Sequence, residues 1–155
     1  MIEVYRAHRP AITLCVDADA ALTRLRPACR LGLITDGRPV AQWNKIDALG
    51  LRDRLDEIIV TDELGPHARK PDPSAFREMS DRLGLSPDRC IYVADNAAKD
   101  FLAPNALGWT TVHLRRPDGF YTHLPPPPGG QPHHTVHTLD EFDLQRIGGG
   151  GPPSL

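Results

Sequence analysis

No run of lysine and arginine stands out in this sequence; the formal net charge is −2 and charged residues make up 25%. The electrostatic footprint of a nucleic-acid binder is therefore missing. Apolar runs are equally short, far below what a membrane span requires, and the opening "MIEVYRAHRP" lacks a signal-peptide core, so a cytoplasmic protein with no membrane partner is expected. Only three cysteines occur, Cys15, Cys29 and Cys90. They lack metal-ligand spacing and stand beside apolar residues, which favours buried, reduced thiols over a disulfide scaffold. No internal repeat is visible. At 155 residues the chain has room for one domain and little more.

What is present is an alternation. "AITLCV" (Ala11 to Val16) reads as extended, a helix follows from Ala18 to Arg26, and "RLGLIT" (Arg30 to Thr35) reads as a buried strand. Val40, Trp43, Ile46 and Leu49 recur at helical spacing before Gly50, and "DEIIVT" (Asp56 to Thr61) is a short strand. Pro73 opens a helix with Phe76, Met79 and Leu83 on one face and Gly84 at its end. "CIYVAD" (Cys90 to Asp95) is the clearest buried strand; a short helix from Lys99 to Leu107, the strand Trp109 to Leu114, a proline-rich loop and a last helix from Leu139 to Ile147 complete the order. Strands separated by helices predict an α/β fold with a mainly parallel sheet covered on both faces, a three-layer α/β/α sandwich. Residues 1–147 form the expected core domain, and 148–155, rich in glycine and proline, a disordered tail.

In such sheets ligands sit at the carboxyl ends of the strands. Those ends carry Thr35, Asp36 and Gly37; Thr61 and Asp62; Asp95 and Asn96; and, if the first segment is a strand, Asp17 and Asp19. An acidic rim repels itself unless a cation occupies it, and oxygen ligands suit Mg²⁺. A hydroxyl, a glycine and a following helix start suit phosphate oxygens. Lys70, between arginine and two prolines in "RKPDP", would neutralise phosphate or carboxylates from a stiffened loop. Each signal alone has an ordinary explanation as a capped turn or a solvated side chain.

In order and spacing, "RLGLITDG", "RKPDPSAF" and "IYVADNAAKDF" resemble the second, third and fourth motifs of the haloacid dehalogenase-like hydrolases. The resemblance runs from Tyr5 to Leu144. It implies a Rossmannoid core of phosphatase type. Thr35 would be the phosphate-binding hydroxyl, with Asp36 and Gly37 in the phosphate loop and Lys70 as the family lysine; Thr35 and Lys70 carry the implied catalytic roles. Asp95 and Asp100 would be the acids holding Mg²⁺, the implied cofactor, and the ligand would be phosphate or a small phosphorylated substrate. Ala94 stands where the fourth motif often has glycine.

The first motif departs further. The family attacks phosphorus with the first aspartate of an Asp-x-Asp pair and uses the second as acid and base. "CVDADAAL" offers Asp17 and Asp19, but 17 residues lie between Asp17 and Thr35, with no room for a cap. Aspartates in a first helical turn favour the dipole and cap free N–H groups, so the spacing assigns both to a helix start. The chain is then expected to be a core without nucleophile or full cap, with weak or no activity alone. Two other readings stay open: an active capless phosphomonoesterase using Asp17 and Asp19, if "AITLCV" inserts into the sheet, or a binding or regulatory module whose sheet is completed by a second copy or a partner chain.

His133, His134 and His137 in "HHTVH" read as solvated loop residues, and Trp43 and Trp109 as packing residues.

Overall fold

Apolar segments flanked by turn residues become short strands, most of them separated by helices along the chain. In the computed structural model, residues 10–148 are described. The chain divides after Gly84 into two units.

The first unit runs through α1 (Val16–Leu25), β1 (Gly32–Thr35), α2 (Pro39–Ala48), β2 (Glu57–Val60), the single turn α3 (Thr61–Leu64) and α4 (Ser74–Leu83). β1 and β2 pair in parallel with Thr35 level with Val60, so both carboxyl ends reach the same edge. α4 shows why its sequence is helical: Ala75, Phe76, Met79, Ser80 and Leu83 recur at helical spacing and are its buried side chains. Gly84 closes the helix in the left-handed region, φ +64°. Met79 packs so closely on β1 that a Cβ at Gly32 would lie 2.6 Å from its Sδ. A core of Ile46, Leu51 and Val60 collects Leu14, Leu22, Leu33 and Trp43 around it.

The second unit contains β3 (Ile91–Ala94), α5 (Leu102–Leu107), β4 (Thr110–Leu114), β5 (His134–Val136) and α6 (Leu144–Ile147), with 3₁₀ turns at Pro87–Arg89 and Leu139–Glu141. Its sheet is parallel throughout in the order β3-β4-β5. Phe101, Trp109, Val112, Val136 and Phe142 are buried, and the Phe101 ring meets His113 edge-on at 5.6 Å. Mixed α/β architecture with parallel strands is thus the observed class.

Several sequence expectations need correction. The strand expected from Ala11 to Val16 does not form: residues 11–15 carry no regular structure and Val16 opens α1. A strand needs a backbone partner and a buried face, whereas Ile12, Cys15 and Val16 are exposed, Val16 at 88%. Asp17 and Asp19 lie in the first turn of α1, but the N-cap is Cys15, without a side-chain cap bond, so neither aspartate is the cap. Cys15 is exposed and Cys29 half-buried; only Cys90 is a buried thiol. Conversely, "HTV" is a strand, not loop: β5 pairs with β4, and His133 Nδ1 accepts the Thr111 N–H at 3.0 Å. His137 Nδ1 lies 3.0 Å from the Arg115 carbonyl, so two of the three histidines are bonded to the sheet they flank. The last helix is split because Asp143 caps α6, accepting from the Gln145 N–H at 2.8 Å. The expected tail, apart from Gly148, and the first nine residues lie outside the described residues.

Candidate functional site

In the first unit, the parallel register brings Thr35 level with Val60, and Asp36 and Thr61 are the next residue of each chain segment. Asp36 is the hub of this corner. Its Oδ1 accepts the hydroxyl of fully buried Thr61 at 3.0 Å and the backbone N–H of Lys70 at 3.2 Å. One carboxylate oxygen therefore ties the end of β1 to the end of β2 and to the loop carrying the lysine. Arg69, beside Lys70, forks onto Asp62 with bonds of 2.6 and 2.7 Å, which fastens the same loop from a second side. The Arg69 hydrogen bond holds the Asp62 carboxyl below its ordinary range and raises the Arg69 guanidinium. The Lys70–Pro71 peptide is cis.

Thr35 is half-buried and donates its hydroxyl to Gln42 Oε1 at 2.8 Å. Gly37 turns the chain between Thr35 and α2 at φ +136°, a conformation that favours glycine. Pro39 then opens α2, so a helix start directly follows this corner. Thr35, Asp36, Gly37 and Lys70 are thus gathered, but with divided labour. Asp36 is an internal clamp here. Neither Thr61's part in the clamp nor Gln42 was foreseen; for Gln42 the available signal was its place one turn into α2, seven residues after Thr35.

The second unit presents the other acids. Asp95 follows β3 and is exposed, and its carbonyl lies 3.1 Å from His113 Nε2. From there the chain folds on Asn96, whose backbone N–H donates to Asp100 Oδ2 at 3.1 Å while its Oδ1 accepts from the Ala98 N–H at 3.1 Å. Asp100 is 2% exposed. Two carboxylates, one open and one buried with its backbone fixed, offer hard oxygen donors of the kind Mg²⁺ takes, since that ion uses one or two carboxylates and keeps several waters. No group of three or more His, Cys, Asp or Glu side chains that could hold a metal occurs among the described residues. Beside Asp95 lies a cavity of about 230 Å³, bounded also by Ala94, Leu114, Arg116, Tyr121 and Thr122. The Thr122 hydroxyl donates to the Arg116 carbonyl at 2.7 Å and closes that wall.

Asp19 is engaged elsewhere. It forms a salt bridge with Arg54, which also donates to Thr23 Oγ1 at 3.0 Å. Trp43 is half-buried, donates to Glu63 at 2.7 Å and is covered by Arg52, 4.3 Å from its ring centre; Trp109 is buried, as expected of packing residues. No helix among the described residues is long and apolar enough to cross a membrane.

The family model of the haloacid dehalogenase-like hydrolases matches residues 3–108. The chain belongs to that family. Among relatives, the glyceraldehyde 3-phosphate phosphatase of Methanopyrus kandleri is 37% identical over 97 residues, 63% of this chain and 40% of that protein. The rat (Rattus norvegicus) N-acylneuraminate-9-phosphatase is 34% identical over 132 residues, 84% of this chain and 51% of that one. The chain therefore spans about half, or less, of these curated relatives. A crystal structure of a haloacid dehalogenase-family phosphatase from Thermococcus onnurineus superimposes with a TM-score of 0.70 at 29% identity, covering 88% of this chain and 59% of that one. In this member of the family the second and fourth resembling motifs fall on strand ends and the turns that follow them, and the third on the loop that leads into α4.

Proposed function

We propose that this chain carries the phosphate-binding and Mg²⁺-binding machinery of a haloacid dehalogenase-type phosphatase and that Asp17 and Asp19 do not serve it as nucleophile and acid. The observation that carries the reading is the Asp36 clamp, which fixes the Lys70 backbone at the strand end that bears Thr35. Thr35 and the Gly37 turn bind phosphoryl oxygens, and Lys70 offsets their charge. In the second unit, Asp95 and Asp100 hold Mg²⁺, an ion whose chemistry is to neutralise charge on phosphate oxygens. That ligand is a small phosphorylated molecule, the kind of compound named for the two phosphatase relatives.

Supporting the second half of the proposal, Asp17 and Asp19 stand in the first turn of α1, with no strand among the described residues before it, and Asp19 is bonded to Arg54. The second aspartate of an Asp-x-Asp pair must be free to give and take a proton, and a side chain committed to an arginine is poorly placed for that. The chain alone should therefore bind phosphate and turn over poorly.

Calorimetric titration with inorganic phosphate in the presence of Mg²⁺, beside an aryl-phosphate assay, tests both halves. Binding that weakens about tenfold or more in Thr35→Val and Lys70→Met, with background turnover unaltered by Asp17→Asn, is expected. Turnover abolished by Asp17→Asn would establish the capless enzyme instead. An absence of phosphate binding would sink the proposed role of Thr35 and Lys70.

A further inference from the structure

We propose that Gln42 is the positioning residue that sets the direction of the Thr35 hydroxyl and so switches this corner between refusing and accepting a tetrahedral oxyanion. The inference rests on the reading of Thr35 as a phosphate-binding hydroxyl. Thr35 Oγ1 donates to Gln42 Oε1 at 2.8 Å. A hydroxyl has one proton to give. While Gln42 holds it, Thr35 turns only lone pairs outward, and a phosphate oxygen, itself an acceptor, gains nothing from them.

A primary amide has a way out that a carboxylate lacks. Half a turn about its last bond puts the NH₂ group where the oxygen stood, so Gln42 then donates to Thr35, and the threonine proton is released to the incoming anion. The carbon skeleton stays in place while Oε1 and Nε2 exchange positions, and the exchange reverses when the anion leaves. The corner is shaped around this amide. A Cβ on Gly37 would lie 2.6 Å from Gln42 Nε2 and 3.2 Å from its Cδ, so the amide rests on backbone that only glycine leaves bare. Gln42 is held from below as well, its backbone N–H bonding to the Arg38 carbonyl at 3.0 Å.

Inorganic phosphate is the probe, titrated calorimetrically with Mg²⁺ into the full chain and into Thr35→Val, Gln42→Glu, Gln42→Met and the Thr35→Val/Gln42→Glu double variant. Thermal melts confirm that each is folded. Glutamate keeps the threonine proton permanently and should weaken phosphate binding roughly tenfold or more, the worth of a hydrogen bond to a charged group. Methionine removes both the acceptor that withholds the proton and the donor that directs it, and should cost roughly threefold, clearly less than glutamate. In the double variant the further loss from glutamate should shrink to its through-space charge effect, a coupling that two independent roles would not produce. The Gln42 side-chain NH₂ resonances should also shift on phosphate addition. If Thr35→Val leaves binding unchanged, the reading of Thr35 falls and takes this inference with it. If Thr35→Val weakens binding while both Gln42 variants stay within twofold of wild type, the inference alone is overturned. It is overturned equally if the glutamate penalty is undiminished in the Thr35→Val background.

Discussion

Removing the Asp36 carboxylate should loosen the whole corner, and the structure permits the cost to be worked out. Asp36→Ala leaves two donors behind. The Thr61 hydroxyl is fully buried and has accommodated itself to this acceptor at 3.0 Å. The Lys70 N–H, in a half-buried setting, loses its acceptor at 3.2 Å. A stranded buried donor costs about 1–3 kcal/mol, and a half-buried one that water reaches costs near the lower end. Together they make Asp36→Ala about 2–4 kcal/mol less stable. Asp36→Asn keeps an oxygen acceptor in the same place and should lose about 1 kcal/mol or less. Urea unfolding followed by tryptophan fluorescence reads this difference, with Trp43 reporting from the unit that contains Asp36. With a slope of about 2 kcal/mol per molar urea, the alanine midpoint falls by roughly 1–2 M and the asparagine midpoint by about 0.5 M or less. If alanine and asparagine shift the midpoint equally, acceptance by the Asp36 oxygen is not what holds Thr61 and Lys70, and the clamp argument fails.

The Arg69–Asp62 pair makes an acid-side prediction. Because the folded Asp62 carboxyl is held below its ordinary value by Arg69, its contribution to stability is present above the unfolded value, about 4, and is lost as pH falls through the folded one. The gap between wild type and Asp62→Asn in urea unfolding should stay constant above about pH 5 and narrow below about pH 4. Gly37→Ala places a Cβ 2.6 Å from the Gln42 amide at φ +136°, and a loss of about 1–3 kcal/mol in the same assay is expected. Phe76, with no exposed surface, should cost about 3–5 kcal/mol when cut to alanine. With a thiol reagent under native conditions, exposed Cys15 should react at once and Cys29, whose thiol is pushed up by burial, more slowly, while Cys90 waits for unfolding.

The sequence alone determined the parts of this protein that rest on local periodicity and on order along the chain. Helix α4 is an example, since Phe76, Met79 and Leu83 mark one face whatever lies opposite and Gly84 ends it. So are the strands that end at Thr35 and near Asp95, whose apolar runs break into polar turns, and the three motifs that carry the family resemblance. Tertiary structure decided whatever needed a partner distant in sequence. "AITLCV" has strand-like composition but no strand forms there, because backbone N–H and C=O groups need a neighbour that composition cannot supply. "HTV" is too short and too exposed to signal anything, and β4 makes it a strand. The family resemblance places Asp36 in the phosphate loop. Its role as a clamp appears only when β1 and β2 pair in parallel and bring Thr61 and Lys70, 25 and 34 positions away, within reach of one oxygen. Hydrogen bonds of this range are set by the register of strands and the path of loops, and neither is written in the spacing of residues along the chain.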